Sequence, residues 1–130
     1  MSERKIYAVD FDNCINLRAK FPDVGEPNTD LIKYLVNCQK EGHTVILWTC
    51  RCGEALDKAV QFCIENNFVP DYINENAPWI IEAFGGDTRK IFANKYIDDC
   101  AVTPWEIMNY MPKPRIEMPV REHRKARIVR

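Results

Sequence analysis

The chain has 130 residues, 46% of them hydrophobic and 28% charged, and a formal net charge of -1 at pH 7. This composition is typical of one globular domain and excludes a disordered, collagen-like or low-complexity chain. The charge is uneven, because residues 113–130 hold seven Lys or Arg and two Glu, so we predict a catalytic domain over residues 1–112 and a basic, loosely ordered tail over residues 113–130.

The first half of the chain predicts two strands and one helix. The apolar run over residues 5–10 indicates a strand that is buried on both faces. Residues 14–27 contain Pro and Gly and predict an irregular segment. Residues 29–41 carry apolar side chains on one helical face. A second buried strand is predicted over residues 44–48.

The second half continues the alternation of helices and strands. Residues 53–67 predict a helix with one apolar face, and residues 71–73 predict a short strand. A short helix is expected over residues 79–84, because Gly85 and Gly86 follow it. The last predicted strand covers residues 95–97.

Apolar strands that alternate with helices favour one fold class. We predict an α/β protein with a three-layer, Rossmann-like parallel sheet and helices on both faces. In such sheets the ligand site lies outside the carboxyl ends of the strands. The polar residues that follow the predicted strand ends are Asp10, Asp12, Thr49, Asp98 and Asp99. We expect them to converge on one site.

Four carboxylates in one crevice would repel one another and raise one another's pKa values. A divalent cation removes that repulsion, and magnesium prefers hard oxygen ligands. For a single Asp after a strand, a turn cap or a solvated loop acid is the simpler explanation. Two acidic pairs, each directly after a buried strand, favour a metal site.

Four segments resemble motifs of the haloacid dehalogenase-like (HAD) superfamily. Residues 7–15 (YAVDFDNCI) resemble its first motif, a hydrophobic strand followed by DxDx(T/V), although Cys14 stands where that motif has Thr. Residues 45–49 (VILWT) resemble the second motif, and residues 96–99 (YIDD) the fourth. Lys90 fits the lysine of the third motif, with Lys95 as the alternative. The resemblance spans residues 5–103.

The resemblance implies a phosphatase that works through an aspartyl phosphate. By that likeness Asp10 is the nucleophile and Asp12 the general acid and base. Thr49 and Lys90 would contact the transferring phosphoryl group. Because dehalogenases lack the second aspartate of the first motif, Asp12 favours phosphate ester hydrolysis.

The same resemblance implies a magnesium site. Asp10, Asp98 and the backbone carbonyl of Asp12 would hold the Mg²⁺ ion, and Asp99 would support it through water or hydrogen bonds. The segments between the motifs are short, so the protein would be of the capless type with an open site.

The expected substrate is a small phosphate ester such as a nucleotide or a sugar phosphate. Arg51 and Asn13 are the predicted substrate-binding residues, although Arg51 could equally form a surface ion pair. A homo-oligomer is one way to close the open site. The alternatives are a phosphatase for nucleic-acid or protein ends, tethered by the basic tail, and a non-catalytic module that binds phosphate and magnesium. We do not favour nucleic acid, because the tail lacks interleaved aromatic residues.

Six cysteines are present. The N-terminal residues lack the apolar segment of a signal peptide, and no apolar run is long enough to span a membrane. We therefore expect a cytoplasmic protein without membrane contact and with reduced thiols. Cys50 and Cys52 do not have CxxC spacing, and we expect most cysteines to be buried.

Overall fold

A four-stranded parallel sheet organises the fold in a computed structural model that describes residues 3–109. In chain order the elements are β1 (Ile6–Val9), β2 (Asn16–Leu17), β3 (Glu26–Pro27), α1 (Thr29–Lys40), β4 (Thr44–Leu47), α2 (Gly53–Glu65), β5 (Tyr72–Ile73), α3 (Pro78–Phe84), β6 (Lys95–Ile97) and α4 (Pro104–Met108). The sheet has the order β5-β4-β1-β6, and all of its neighbouring strands are parallel. The predicted parallel α/β sheet is thus confirmed and is consistent with a Rossmann-like fold.

The strand order reverses beside β1. The chain moves outward from β1 to β4 and β5, then returns to the other side of β1 as β6. This reversal leaves a crevice at the carboxyl ends of β1 and β6, which is where open α/β sheets bind ligands. Val9 pairs with Leu47 and with Ile97, so β4, β1 and β6 end at the same level.

Helices cover both faces of the sheet. Successive side chains of a strand point to opposite sides, so β1 contributes residues to the core on each face. Tyr7 and Val9 pack in one buried cluster with residues of α1 and α2. Ile6 and Ala8 pack in a second cluster with residues of α3 and with the segment 91–93. All four residues of β1 are buried, which confirms the prediction of a strand covered on both faces.

The four predicted strands and three predicted helices are all present, with small differences at their ends. Two features were not predicted. The first is the antiparallel pair β2–β3 inside the segment expected to be irregular. The second is α4, which begins at a capping box. In it the Thr103 side chain accepts the Glu106 N–H, and the Glu106 side chain accepts the Thr103 N–H.

The described residues lie inside the predicted domain of residues 1–112, whereas the predicted tail of residues 113–130 lies outside them. Within residues 3–109, no helix combines the length and the apolar character needed to cross a membrane. All six cysteines are free. Half of them are buried, fewer than expected: Cys14, Cys38 and Cys63 are buried, and Cys50, Cys52 and Cys100 are exposed.

Candidate active site

The acids of the first and last sheet strands meet at one edge of the sheet. Asp10 directly follows β1, and its backbone N–H donates to the Ile97 carbonyl of β6 at 2.9 Å. This bond continues the β1–β6 pairing as far as the end of β6. Asp98 and Asp99 follow Ile97 directly, so the chain geometry brings both acidic pairs to the crevice beside β1.

The Asp10 carboxyl is half-buried among other acids. Its pKa is raised from 3.8 to about 6, first by burial and then by the negative charges of Asp98, Asp99 and Asp12. The backbone N–H of Phe11 donates to Asp10 Oδ1 at 2.7 Å and opposes this rise. The crevice therefore holds excess negative charge next to Asp10.

Two groups of side chains in this crevice have the spacing of metal ligands. One ligand atom each of Asp10, Cys14 and Asp99 lie within 4.8 Å of one another, and so do those of Asp98, Asp99 and Cys100. Burial and the Asp10 charge raise the pKa of the Cys14 thiol to about 11, so it is neutral near pH 7. The available donors are then carboxylate oxygens, and this set fits a hard divalent cation such as Mg²⁺. The group that contains Asp10 includes Asp99 rather than Asp98, the acid that the resemblance implied as direct ligand.

Asp12 has the opposite environment from Asp10. Arg51 Nε donates to Asp12 Oδ2 at 3.0 Å, and Arg51 Nη2 donates to Oδ1 at 2.9 Å. Asn16 Nδ2 also donates to Asp12 Oδ1, at 3.2 Å. The hydrogen bonds from Arg51 are the main reason that the pKa of Asp12 is lowered. The bidentate contact with Arg51 therefore favours the ionised form of Asp12, whereas the surroundings of Asp10 disfavour its ionised form.

Arg51 is buried and hydrogen-bonded within the protein, unlike a side chain that is free to bind substrate. It is 2% exposed, and its remaining donors reach the backbone carbonyls of Pro22, Asp23 and Ala55 at 2.7, 2.9 and 3.1 Å. A guanidinium has five N–H donors, and all five are used. Arg51 does form the ion pair that was the alternative prediction, with Asp12, but its guanidinium is buried rather than at the surface. In this arrangement, the Arg51 guanidinium has no free N–H donor for the predicted contact with substrate.

Thr49 lies two residues after the end of β4, and hydrogen bonds to its backbone and its side chain hold it in place. Its N–H donates to Asn74 Oδ1 at 2.8 Å, and its Oγ1 accepts the N–H of Arg51 at 3.1 Å. Asn74 itself has φ 53° and donates its N–H to Leu47 at 2.8 Å. Thr49 Oγ1 accepts the Arg51 N–H, and the Thr49 O–H has no acceptor within residues 3–109.

Lys90 and Asn13 are both exposed, and neither donates a side-chain hydrogen bond within the described part of the chain. Lys90 Nζ lies 5.4 Å from the centre of the Tyr96 ring. The segment that carries Lys90 is held by buried Asn76, whose Oδ1 accepts the Phe92 N–H at 2.7 Å. Asn13 has φ 64° and donates its N–H to the Asn16 carbonyl at 2.8 Å. The roles predicted for Lys90 and Asn13 stay predictions.

Asn16 and Asn74 support the site but were not among the site residues predicted from the sequence. Asn16 is 2% exposed and joins Asp12 to the backbone N–H of Gly25, which donates to Asn16 Oδ1 at 2.7 Å. Asn74 accepts the Thr49 N–H and so supports Thr49. A signal was available for Asn74, since Asn is favoured where φ is positive in a loop. The local sequence gave no comparable signal for Asn16.

The chain is similar to a solved structure from Bacteroides thetaiotaomicron, described as that of a conserved protein coded by a locus of that organism. The two chains are 32% identical, and their TM-score is 0.66. The similarity covers 81% of this chain and 86% of the Bacteroides chain. Family models give no match, and curated proteins give no significant match.

Proposed function

We propose that this chain, which belongs to the same family as the conserved Bacteroides thetaiotaomicron protein, is a magnesium-dependent phosphomonoester hydrolase of the HAD type. The observation that carries the proposal is the contrast between Asp10 and Asp12 at one strand end. Asp10 sits in an acidic crevice and its pKa is raised, while Arg51 lowers the pKa of Asp12. Neighbouring carboxyls whose environments separate their pKa values are typical of active sites.

The proposed magnesium site uses Asp10, Asp99, Asp98 and the backbone carbonyl of Asp12. A bound Mg²⁺ would neutralise the acidic crevice, keep Asp10 ionised near pH 7 and offset the charge of a phosphoryl group. Ligand atoms of Asp10 and Asp99 lie within 4.8 Å of each other, which supports Asp99 as a direct ligand. Asp98 Oδ1 accepts the Cys100 N–H at 3.0 Å, and this bond leaves Asp98 Oδ2 for the ion.

Asp10 is the proposed nucleophile. A carboxylate oxygen of Asp10 attacks phosphorus while the bond from phosphorus to the ester oxygen breaks, so the phosphoryl group becomes an aspartyl phosphate. Thr49 donates its hydroxyl hydrogen to the phosphoryl oxygens, and Lys90 supplies a positive charge to them. The Phe11 N–H at Asp10 Oδ1 fixes one oxygen, which leaves Oδ2 to attack.

Asp12 is the proposed acid and base. It gives a proton to the departing ester oxygen, then takes one from the water that breaks the aspartyl phosphate and releases inorganic phosphate. Arg51 keeps Asp12 ionised in the free protein. A phosphate dianion bound beside Asp12 adds negative charge and favours uptake of a proton from solvent by Asp12, and this proton passes to the departing ester oxygen.

The proposed substrate is a small phosphomonoester, and the enzyme would be of the capless type. In residues 3–109 the segments between the proposed motifs hold only α1, α2, α3 and very short strands. The site would then open directly to solvent. Asn13 is exposed and is the proposed contact to the part of the substrate beyond its phosphate.

A phosphomonoester panel tests the proposal, assayed with Mg²⁺ and again with a chelator. We expect hydrolysis that requires Mg²⁺, is abolished in Asp10→Asn and is kept in Asp57→Asn, which changes an exposed aspartate on α2. Hydrolysis that survives in Asp10→Asn would remove Asp10 as the nucleophile. Wild-type protein that hydrolyses no ester in the panel with Mg²⁺ would reject the function.

A further inference from the structure

The acceptors of Arg51 come from three separate parts of the chain. Two of its five hydrogen bonds go to the Asp12 carboxylate, and one goes to Ala55 in the first turn of α2. The other two go to the carbonyls of Pro22 and Asp23. Pro22 and Asp23 belong to the connection between β2 and β3. Together with the strand residues that flank it, we call this segment the 17–27 loop. One buried guanidinium therefore joins Asp12 to this loop.

The loop also covers Arg51. The guanidinium carbon lies 4.9 Å from the centre of the Phe11 ring and 5.0 Å from that of Phe21. Phe11 is a core residue, whereas Phe21 is a loop residue and is 64% exposed. Undocking of the loop would remove two acceptors and one covering ring from a buried cation, which is costly unless new partners are found. The position of Arg51 thus depends on the loop.

A second connection runs parallel to the first. Asn16 donates to Asp12 Oδ1 and accepts from the Gly25 N–H of the loop. Gly25 lies where the two arms of the loop approach closely, and a Cβ there would overlap the Leu17 carbonyl oxygen. The Asp12 carboxylate is therefore tied to the loop by both a charged and an uncharged side chain.

We propose that Arg51 is a positioning residue that couples the Asp12 carboxylate to the docked 17–27 loop, so that Asp12 works as acid and base only while the loop is in place. This inference rests on the proposed function for its catalytic part. It assigns Arg51 to the departing group rather than to phosphate binding. The coupling itself is a property of the fold and can be measured without any substrate.

Substrates with different leaving groups test the catalytic part through kcat/KM, which reports steps up to departure of the alcohol. An alkyl ester such as β-glycerophosphate needs a proton donor, and p-nitrophenyl phosphate does not. We expect Arg51→Lys to lower kcat/KM about 100-fold for the alkyl ester and less than about threefold for the aryl ester. Equal losses for both esters would show a general structural role and overturn the proposal.

Gly25→Ala provides a second route to the same result if Arg51→Lys fails to fold. It disturbs the loop without changing Asp12 or Arg51, and we expect the same selective loss for the alkyl ester. Lys58→Ala is the matched control, because Lys58 on α2 contacts the loop only at its surface, through Asp23 at 3.4 Å. Unchanged selectivity in Gly25→Ala would contradict the coupling.

Hydrogen exchange of the amides in the 17–27 loop decides the coupling without an activity. We expect exchange about tenfold faster in Arg51→Lys and in Asp12→Asn, and within twofold of wild type in Lys58→Ala. Asp12→Asn is the sharper variant, because Asp12 reaches the loop through Arg51 and Asn16. Wild-type exchange in Asp12→Asn would overturn the coupling. Wild-type protein inactive on all phosphomonoesters would reject the proposed function and the catalytic part, while hydrogen exchange would still decide the coupling.

Discussion

Replacement of Asp10 by asparagine is expected to stabilise the metal-free protein above pH 6. In the folded chain the pKa of Asp10 is raised from 3.8 to about 6, so the native state holds this proton more tightly than the unfolded state. Stability is then lost as the pH rises from about 4 to about 6, where the carboxyl must ionise. Asparagine keeps an oxygen that accepts the Phe11 N–H, and it carries no charge.

The size of the effect follows from the pKa. Since a tenfold change in proton affinity is worth about 1.4 kcal/mol, the upper limit is about 3 kcal/mol. Asp10 is only half-buried, and solvent screening reduces this to about 1–2 kcal/mol. For a domain of this size we expect the melting temperature to rise by about 5–10 °C.

Thermal unfolding followed by circular dichroism measures this change, in chelator at pH 8 and at pH 5. The gain in Asp10→Asn should be largest at pH 8 and smaller at pH 5, with Asp57→Asn as the uninvolved control. Added Mg²⁺ should raise the melting temperature of the wild type and have little effect on Asp10→Asn. An Asp10→Asn protein that is less stable than wild type at pH 8 in chelator would refute the crowding of acids around Asp10.

Three further results are expected. Magnesium affinity, measured by calorimetry, should fall about tenfold for each pH unit below 6, because the ion displaces the Asp10 proton; a pH-independent affinity would contradict this. Asn74→Gly keeps the positive φ but removes the acceptor of the Thr49 N–H, and it should cost about 1 kcal/mol in urea unfolding; no cost would mean that water replaces the side chain. Leu35→Ala, in the core below β1, should cost about 2–5 kcal/mol and leave magnesium affinity unchanged, whereas a large loss of affinity would tie the metal site to α1 packing.

The predictable part of the fold is the part encoded by local pattern. β1 and β4 are continuous apolar runs and are buried along their whole length, so their position and their cover on both faces follow from composition. The start of α1 was also readable, since Asn28 accepts the Leu31 N–H as a cap. Convergence of the acids followed from the rule that parallel strands present their carboxyl ends at one edge.

The unpredicted part depends on contacts between distant residues. Arg51 is 39 positions from Asp12 along the chain, and no periodicity marks a charged residue that will be fully buried. Its burial requires the carbonyls of Pro22 and Asp23, which face it only because the 17–27 loop folds back over Arg51. The same holds for Asn16, a polar residue whose partners are supplied by loop geometry rather than by its neighbours in the sequence.

Chemical trapping during turnover tests whether Asp10 carries the phosphoryl group, as proposed. Borohydride reduces an acyl phosphate to the alcohol, so protein quenched during turnover with Mg²⁺ should contain homoserine in place of Asp10, as read by peptide mass spectrometry. The product should disappear when the chelator replaces Mg²⁺. Homoserine at another aspartate, or continued hydrolysis with Asp10 never reduced, would rule out Asp10 as the nucleophile.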